Sequence, residues 1–160
     1  MLVVGEQPGD EEDRQGLPFV GPAGRLLRSM MASAGVDVDR VYLTNAVKHF
    51  GWQLRGKRRM HKTPEQRQIE ACHAWLASEI AHSRPKVIVA LGVTAVSALL
   101  GQRLVLREAR KMKLSLADGT PVVATFHPSA LLRAPDPTSR EELSQALLAD
   151  LRRAAAMAWP

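Results

Sequence analysis

An α/β/α sandwich around a mainly parallel, four-stranded sheet is the fold this chain of 160 residues predicts. Three observations carry it. Short apolar runs of strand length alternate with longer segments of helical period. Two of those runs, 1-MLVVG-5 and 86-KVIVAL-91, are mostly apolar, as strands covered on both faces are. No repeat, low-complexity tract or linker interrupts the pattern, so one domain over residues 1–160 is expected.

The elements follow in order. Met1–Val4 reads as a strand ending at Gly5. In 22-PAGRLLRSMMASAG-35, Leu26, Leu27, Met30, Met31 and Ala34 recur at helical spacing and Gly35 closes the helix. The run 41-VYLTN-45 is a second strand, and a long basic segment without evident structure continues to Lys62. Thr63 is the expected N-cap of the next helix, with Pro64 at its first position and Gln66 closing a capping box. That helix should run to about Ser83 and bury Ile69, Cys72, Leu76 and Ile80. Lys86–Leu91 is the clearest buried strand, followed by a short helix ending at Gly101. Then 111-KMKLSL-116 alternates, Asp118-Gly119 turns, and 121-PVVATF-126 returns as a strand. A last amphipathic helix from Ser139 to Ala158 uses Leu143, Leu147 and Leu151.

Composition narrows the partners. Lys and Arg total 22 against 16 acids, a net charge of +6 that suits a polyanion such as nucleic acid. The single cysteine, Cys72, excludes an internal disulfide framework and points to a reducing, cytoplasmic setting. No apolar run reaches transmembrane length and no signal-peptide pattern is present, so no membrane partner is expected.

Unusual residues gather at strand ends, and ligands of open α/β sheets bind beyond the carboxyl ends of their strands. The first strand leads into 5-GEQPGDEED-13, the second ends at Asn45 and runs on to Lys48, and the last ends at 127-HPS-129. All should open on one rim. GEQPG has neither the dinucleotide-binding nor the P-loop glycine spacing. Gly5 and Gly9 could make a tight turn or bring backbone amides to a ligand. Glu6 could stabilise developing positive charge or orient a base, whereas Glu11 and Glu12 read as a solvated turn. Phe19 could be core or a stacking platform. Asn45 could cap a turn or read a base edge with a donor and an acceptor at once. His127 could be a buried histidine or a donor to a leaving group. Cys72, on an apolar helix face, reads as a small packed hydrophobe. The stretch 55-RGKRRMHKT-63 places Arg55, Lys57, Arg58, Arg59 and Lys62 around His61.

These stretches together resemble the uracil-DNA glycosylase superfamily. GEQPGDEEDRQGLPFVGPAGRLL resembles the first motif of its iron–sulfur branch, and HPSALLR the second. The combination of GEQPG, TNAVKHF and KRRMH is similar to the UdgX group, in which a basic-loop histidine becomes covalently joined to uracil-containing DNA. Met60 stands where that group has isoleucine, a swap that roughly conserves volume.

The resemblance implies a monomer acting on uracil in DNA, with single strands preferred and the target nucleotide flipped out of the stack. Phe19 would stack on the base, Asn45 would read its polar edge, and Gly5 and Asp10 would help form the base site. Glu6, Gln7, His127 and His61 would be catalytic: His127 facing the departing uracil, Glu6 the sugar cation, His61 capturing C1′. Asp13 would support the turn. Lys48, Lys57, Arg58, Arg59 and Lys62 would grip flanking phosphates, with Arg59 also holding the loop closed. The nearby cations would also disfavour a protonated His61 ring. A [4Fe–4S] centre is also implied, held by an upstream CxxC pair and later ligands. Cys72 matches one later position. The pair is not among these residues, so the expectation is an N-terminally truncated domain unable to hold a cluster by itself. Two rival functions are a conventional glycosylase releasing uracil and an abasic site, and a non-catalytic nucleotide- or nucleic-acid-binding module.

Overall fold

The fold is described from a computed structural model covering residues 1–159. Four strands, β1 (Leu2–Gly5), β2 (Tyr42–Asn45), β5 (Ile88–Leu91) and β7 (Pro121–Thr125), run parallel. A two-residue antiparallel strand, β6 (Leu114–Ser115), is added at one edge, giving the order β2-β1-β5-β7-β6.

Alternation along the strands explains the layers, because successive side chains point to opposite faces. Leu2, Val4, Ile88, Ala90, Val122 and Ala124 pack beneath α3 (Gln66–Ser83) and α4 (Gly92–Leu100). Val3, Val89, Leu91 and Val123 face the other way, toward α2 (Pro22–Ser33), α6 (Pro128–Leu132) and α7 (Pro137–Ala158). Short helices α1 (Asp10–Gln15) and α5 (Leu106–Ala109) complete the set. The predicted sandwich is the observed one.

Strand order fixes where a ligand can enter. From β1 the chain moves through α2 to β2 on one side, then crosses through α3 to β5 on the other. The reversal leaves a crevice beyond the carboxyl ends of β1 and β5, the switch point of an open parallel sheet.

Three local expectations are corrected. The basic segment is not structureless: Trp52–Arg55 and Arg58–His61 form an antiparallel hairpin, β3 and β4. Gly56 starts its two-residue turn at φ 63°, the geometry a Gly-X hairpin turn requires. The acidic stretch after GEQPG is helix α1, whose first turn holds Asp10, Glu11, Glu12 and Asp13, where the helix dipole favours negative charge. Glu12 is not simply solvated, since its Oε1 accepts from the Gly21 amide at 2.9 Å. Finally, Glu65, not Thr63, caps α3, through a reciprocal capping box with Gln68. Pro64 thus precedes the cap, and the same Thr-Pro-Glu signal is displaced by two residues. Among the described residues no helix is long and apolar enough to cross a membrane.

Candidate active site

The crevice is a cavity of about 680 Å³ lined by Glu6 and Gln7 after β1, Asn45 at the end of β2, and His127 after β7. Phe19, Asp10 and the hairpin's His61 also line it. Residues from five separate sequence stretches thus meet at one opening.

Gly5 lies beneath two of the lining side chains, Asn45 and Phe19. A Cβ there would sit 2.4 Å from Asn45 Oδ1 and 2.6 Å from Phe19 Cζ, so only glycine lets both side chains close over the strand end. Phe19 is buried and adopts φ 56°, a left-handed conformation that bulky residues rarely take. Gly24 of α2 makes room for that backbone, because a Cβ there would fall 2.0 Å from the Phe19 carbonyl oxygen. The Phe19 ring stacks against His127 with centroids 6.3 Å apart. Asn45 is buried, and among the described residues its side-chain amide has no hydrogen-bond partner. It is free for a ligand.

His127 caps α6. Its Nδ1 accepts from the Ser129 amide at 3.2 Å, which puts the ring proton of the neutral form on Nε2. Burial lowers its pKa to about 4, assisted by the positive charge of Arg133 and opposed by Glu6. At neutral pH it is therefore an uncharged donor. The same shift couples to stability. Between about pH 6.5 and pH 4 the unfolded chain takes up a proton that the folded ring refuses, so the stabilisation is complete above that window and lost as pH falls through it. Chemical denaturation at pH 7 and pH 4 should show a loss of roughly 3 kcal/mol that is absent from His127→Gln. Equal losses in both proteins would contradict the assignment.

Glu6 is enclosed. Its Oε1 lies 3.0 Å from His61 Nε2, and its Oε2 accepts from the Thr94 hydroxyl. Burial alone would raise its pKa, but the hydrogen bonds from His61 and Thr94 outweigh this and hold it below the usual carboxylate range. It is ionised. Thr94, on the first turn of α4, was missed in the sequence because a threonine opening a helix reads as an ordinary helix-start residue.

Gln7 lines the cavity with its side-chain amide bonded to the hairpin. Its Nε2 donates to the carbonyls of Gly51 and Lys62, both at 3.1 Å, and its Oε1 accepts from the Gly51 amide at 3.2 Å. All of these bonds clamp the two feet of the hairpin. These bonds give Gln7 a positioning role at the cavity wall.

The cations also differ from expectation. Directly opposed residues of a hairpin share a face, so Arg59 and His61 lie on one face with Leu54 and Trp52, and Arg55, Arg58 and Met60 on the other. Arg59 is held by Asp10 and Asp13, the latter at 2.7 Å, with its guanidinium 5.2 Å from the Phe50 ring centre. These two ion pairs lock the hairpin down and engage the guanidinium. The charge nearest the His61 ring is therefore the Glu6 carboxylate rather than a cation, and the expected electrostatic neighbours are replaced. Lys48 is likewise engaged, 2.6 Å from Glu79 on α3. Lys57 and Arg58 are exposed at the hairpin tip without an ion-pair partner among the described residues, and exposed Lys62 pairs with Glu65 at 3.1 Å.

Cys72 lies outside the crevice, buried in the α3 layer. Its Sγ accepts from the Lys48 amide at 3.4 Å and lies 3.9 Å from His49 Nδ1. A [4Fe–4S] cluster takes four protein ligands. Among the described residues no three His, Cys, Asp or Glu side chains converge as metal ligands. Two donors do not fit that group by themselves.

A crevice at the switch point of a parallel sheet, holding a buried ring stacked on His127, an unpartnered amide and an ionised carboxylate bonded to His61, has the parts of a site for a small planar group. Residues 1–152 match the family model of the Uracil DNA glycosylase superfamily, and the chain belongs to it. It is 37% identical over 155 residues to the type-4 uracil-DNA glycosylase of Thermotoga maritima, an alignment covering 96% of this chain and 75% of the relative. The type-4 enzyme of Pyrobaculum aerophilum is 35% identical over 144 residues, covering 84% and 69%. That of Archaeoglobus fulgidus is 35% identical over 150 residues, covering 84% and 68%.

Proposed function

We propose that the chain excises uracil from DNA and captures the sugar left behind through His61. Family membership supports the first half, and one distance carries the second: His61 Nε2 lies 3.0 Å from Glu6 Oε1 at the cavity wall. A flipped uracil would stack on Phe19 with its polar edge on the Asn45 amide. As the N1–C1′ bond breaks, its electron pair leaves with uracil, whose growing charge meets the neutral Nε2–H of His127. The opposite charge, on the sugar, faces ionised Glu6. Glu6 then takes the Nε2 proton of His61 as the ring turns from the carboxylate to the sugar, and the freed lone pair forms the C1′–Nε2 bond. One proton moves to Glu6 and uracil departs as an anion; a ring that starts with both nitrogens protonated ends as an alkylated imidazolium, whose Nδ1 proton passes to water.

The exposed cations of the hairpin, Lys57, Arg58 and Lys62, would hold flanking phosphates without reading sequence. Single-stranded DNA is the favoured substrate because no duplex has to be opened. A denaturing gel after incubation with uracil-containing single strands should show a shifted, heat-stable band, and thymine-containing strands should show none. Free uracil with an unshifted abasic strand would instead support ordinary turnover, the reading that the type-4 relatives favour, with a Glu6-activated water in place of His61. Equal binding of uracil and thymine strands, with no chemistry, would leave a binding module.

The Gln7 clamp supplies a further test. Gln7→Ala leaves the hairpin feet without their shared partner and should slow capture roughly tenfold, with DNA affinity little changed. A matching fall in affinity would mean that the hairpin binds rather than delivers.

A further inference from the structure

The strand that carries Asn45 lies at the edge of the sheet and has a neighbour on one side only. On the cavity side, Gly5 and Phe19 bracket the Asn45 amide. Behind it is a second recess of about 310 Å³, lined by Tyr42, Thr44, Lys48 and Glu79. An amide with open space behind it can swing away from a base, unless the backbone that carries it is held.

Lys48 provides that hold. Its ammonium donates to the Asn45 carbonyl at 2.7 Å, to Thr44 Oγ1 at 2.8 Å and to Glu79 Oε2 at 2.6 Å. The Thr44 hydroxyl in turn donates to the same Glu79 oxygen at 2.8 Å. An ammonium has three N–H groups, and here each has an acceptor. Both ends of the ion pair are about three-quarters covered, with side-chain exposures of 25% each, so the network is sheltered from water. The peptide after Asn45 fixes the angle at which its side chain leaves the strand. Its carbonyl is gripped by Lys48, and the next two amides bond to the Gly5 and Glu6 carbonyls, both at 2.9 Å.

We propose that Lys48 and Glu79 are positioning residues for base selection: they tie the end of β2 to α3 and hold the Asn45 amide at the angle that distinguishes uracil from cytosine. This rests on the uracil reading above and displaces the phosphate contact that the sequence suggested for Lys48.

The test uses the full chain and single-stranded oligonucleotides in which the target uridine or cytidine carries a 2′-fluorine. The electron-withdrawing fluorine destabilises the sugar cation and suppresses cleavage, so binding is measured alone. Lys48→Met should reduce the preference for uracil over cytosine roughly tenfold or more, the scale set by one mispositioned polar contact. The salt dependence of binding should be unchanged. Glu79→Gln, which keeps the side chain's shape, should shift the preference the same way, and it carries the comparison should Lys48→Met fail to fold. An unchanged preference in the folded variants overturns the proposal. So does a uniform loss of affinity for both bases with the salt slope reduced by about one, the signature of a lost phosphate contact. Wild-type protein that shows no preference for uracil overturns the parent reading as well, which separates the two failures.

Discussion

Glu6→Gln is expected to slow uracil excision by two to three orders of magnitude while the protein stays folded, the range found when one preorganised electrostatic group is removed. The substitution keeps the shape of the side chain and removes its charge. In the structure that charge sits between His61 at 3.0 Å and the Thr94 hydroxyl, and it has no other partner to share its role. Glutamine also cannot accept the His61 proton, so any residual excision should end without capture. Single-turnover kinetics on uracil-containing single strands, beside a thermal melt, make the comparison. A variant within a few-fold of wild type would remove Glu6 from the chemistry.

Gly5→Ala should be nearly as damaging, for a steric reason. The added methyl would meet the tips of Asn45 and Phe19 at 2.4 and 2.6 Å, and both must move to admit it. A displacement near 1 Å at a reacting centre costs about a hundredfold in rate. Overpacking adds about 1–3 kcal/mol of destabilisation. Rate and denaturation midpoint should therefore fall together, with the rate loss too large to follow from unfolding alone. If only stability changes, the base site is not where Gly5 places it.

The parts of the site that the sequence revealed are those tied to strand ends. Glu6, Asn45 and His127 each stand directly after a short apolar run, and parallel strands bring such positions to one rim whatever the intervening chain does. The hairpin was hidden because strand-forming patterns are read from β-branched and aromatic residues. Arg58–His61 has none, and the readable cue was only a Gly-Lys pair between two four-residue runs. The destinations of the cations were hidden for a different reason. Arg59 meets Asp10 and Asp13 across 49 and 46 residues, and Lys48 meets Glu79 across 31. Pairings at such separations follow from the fold and leave no local pattern. The Gln7 clamp was hidden for the same reason, since its partners Gly51 and Lys62 lie 44 and 55 residues away.

These corrections sharpen the central claim. His61 stands on a hairpin clamped at its feet by Gln7 and pinned by Arg59, with its Nε2 against the Glu6 carboxylate. Peptide mapping by mass spectrometry after reaction with a uracil-containing single strand tests this most directly. The expected result is an abasic deoxyribose bonded to the peptide that contains His61, lost in His61→Ala. Released uracil without any adduct, or an adduct on another residue that persists in His61→Ala, would contradict it.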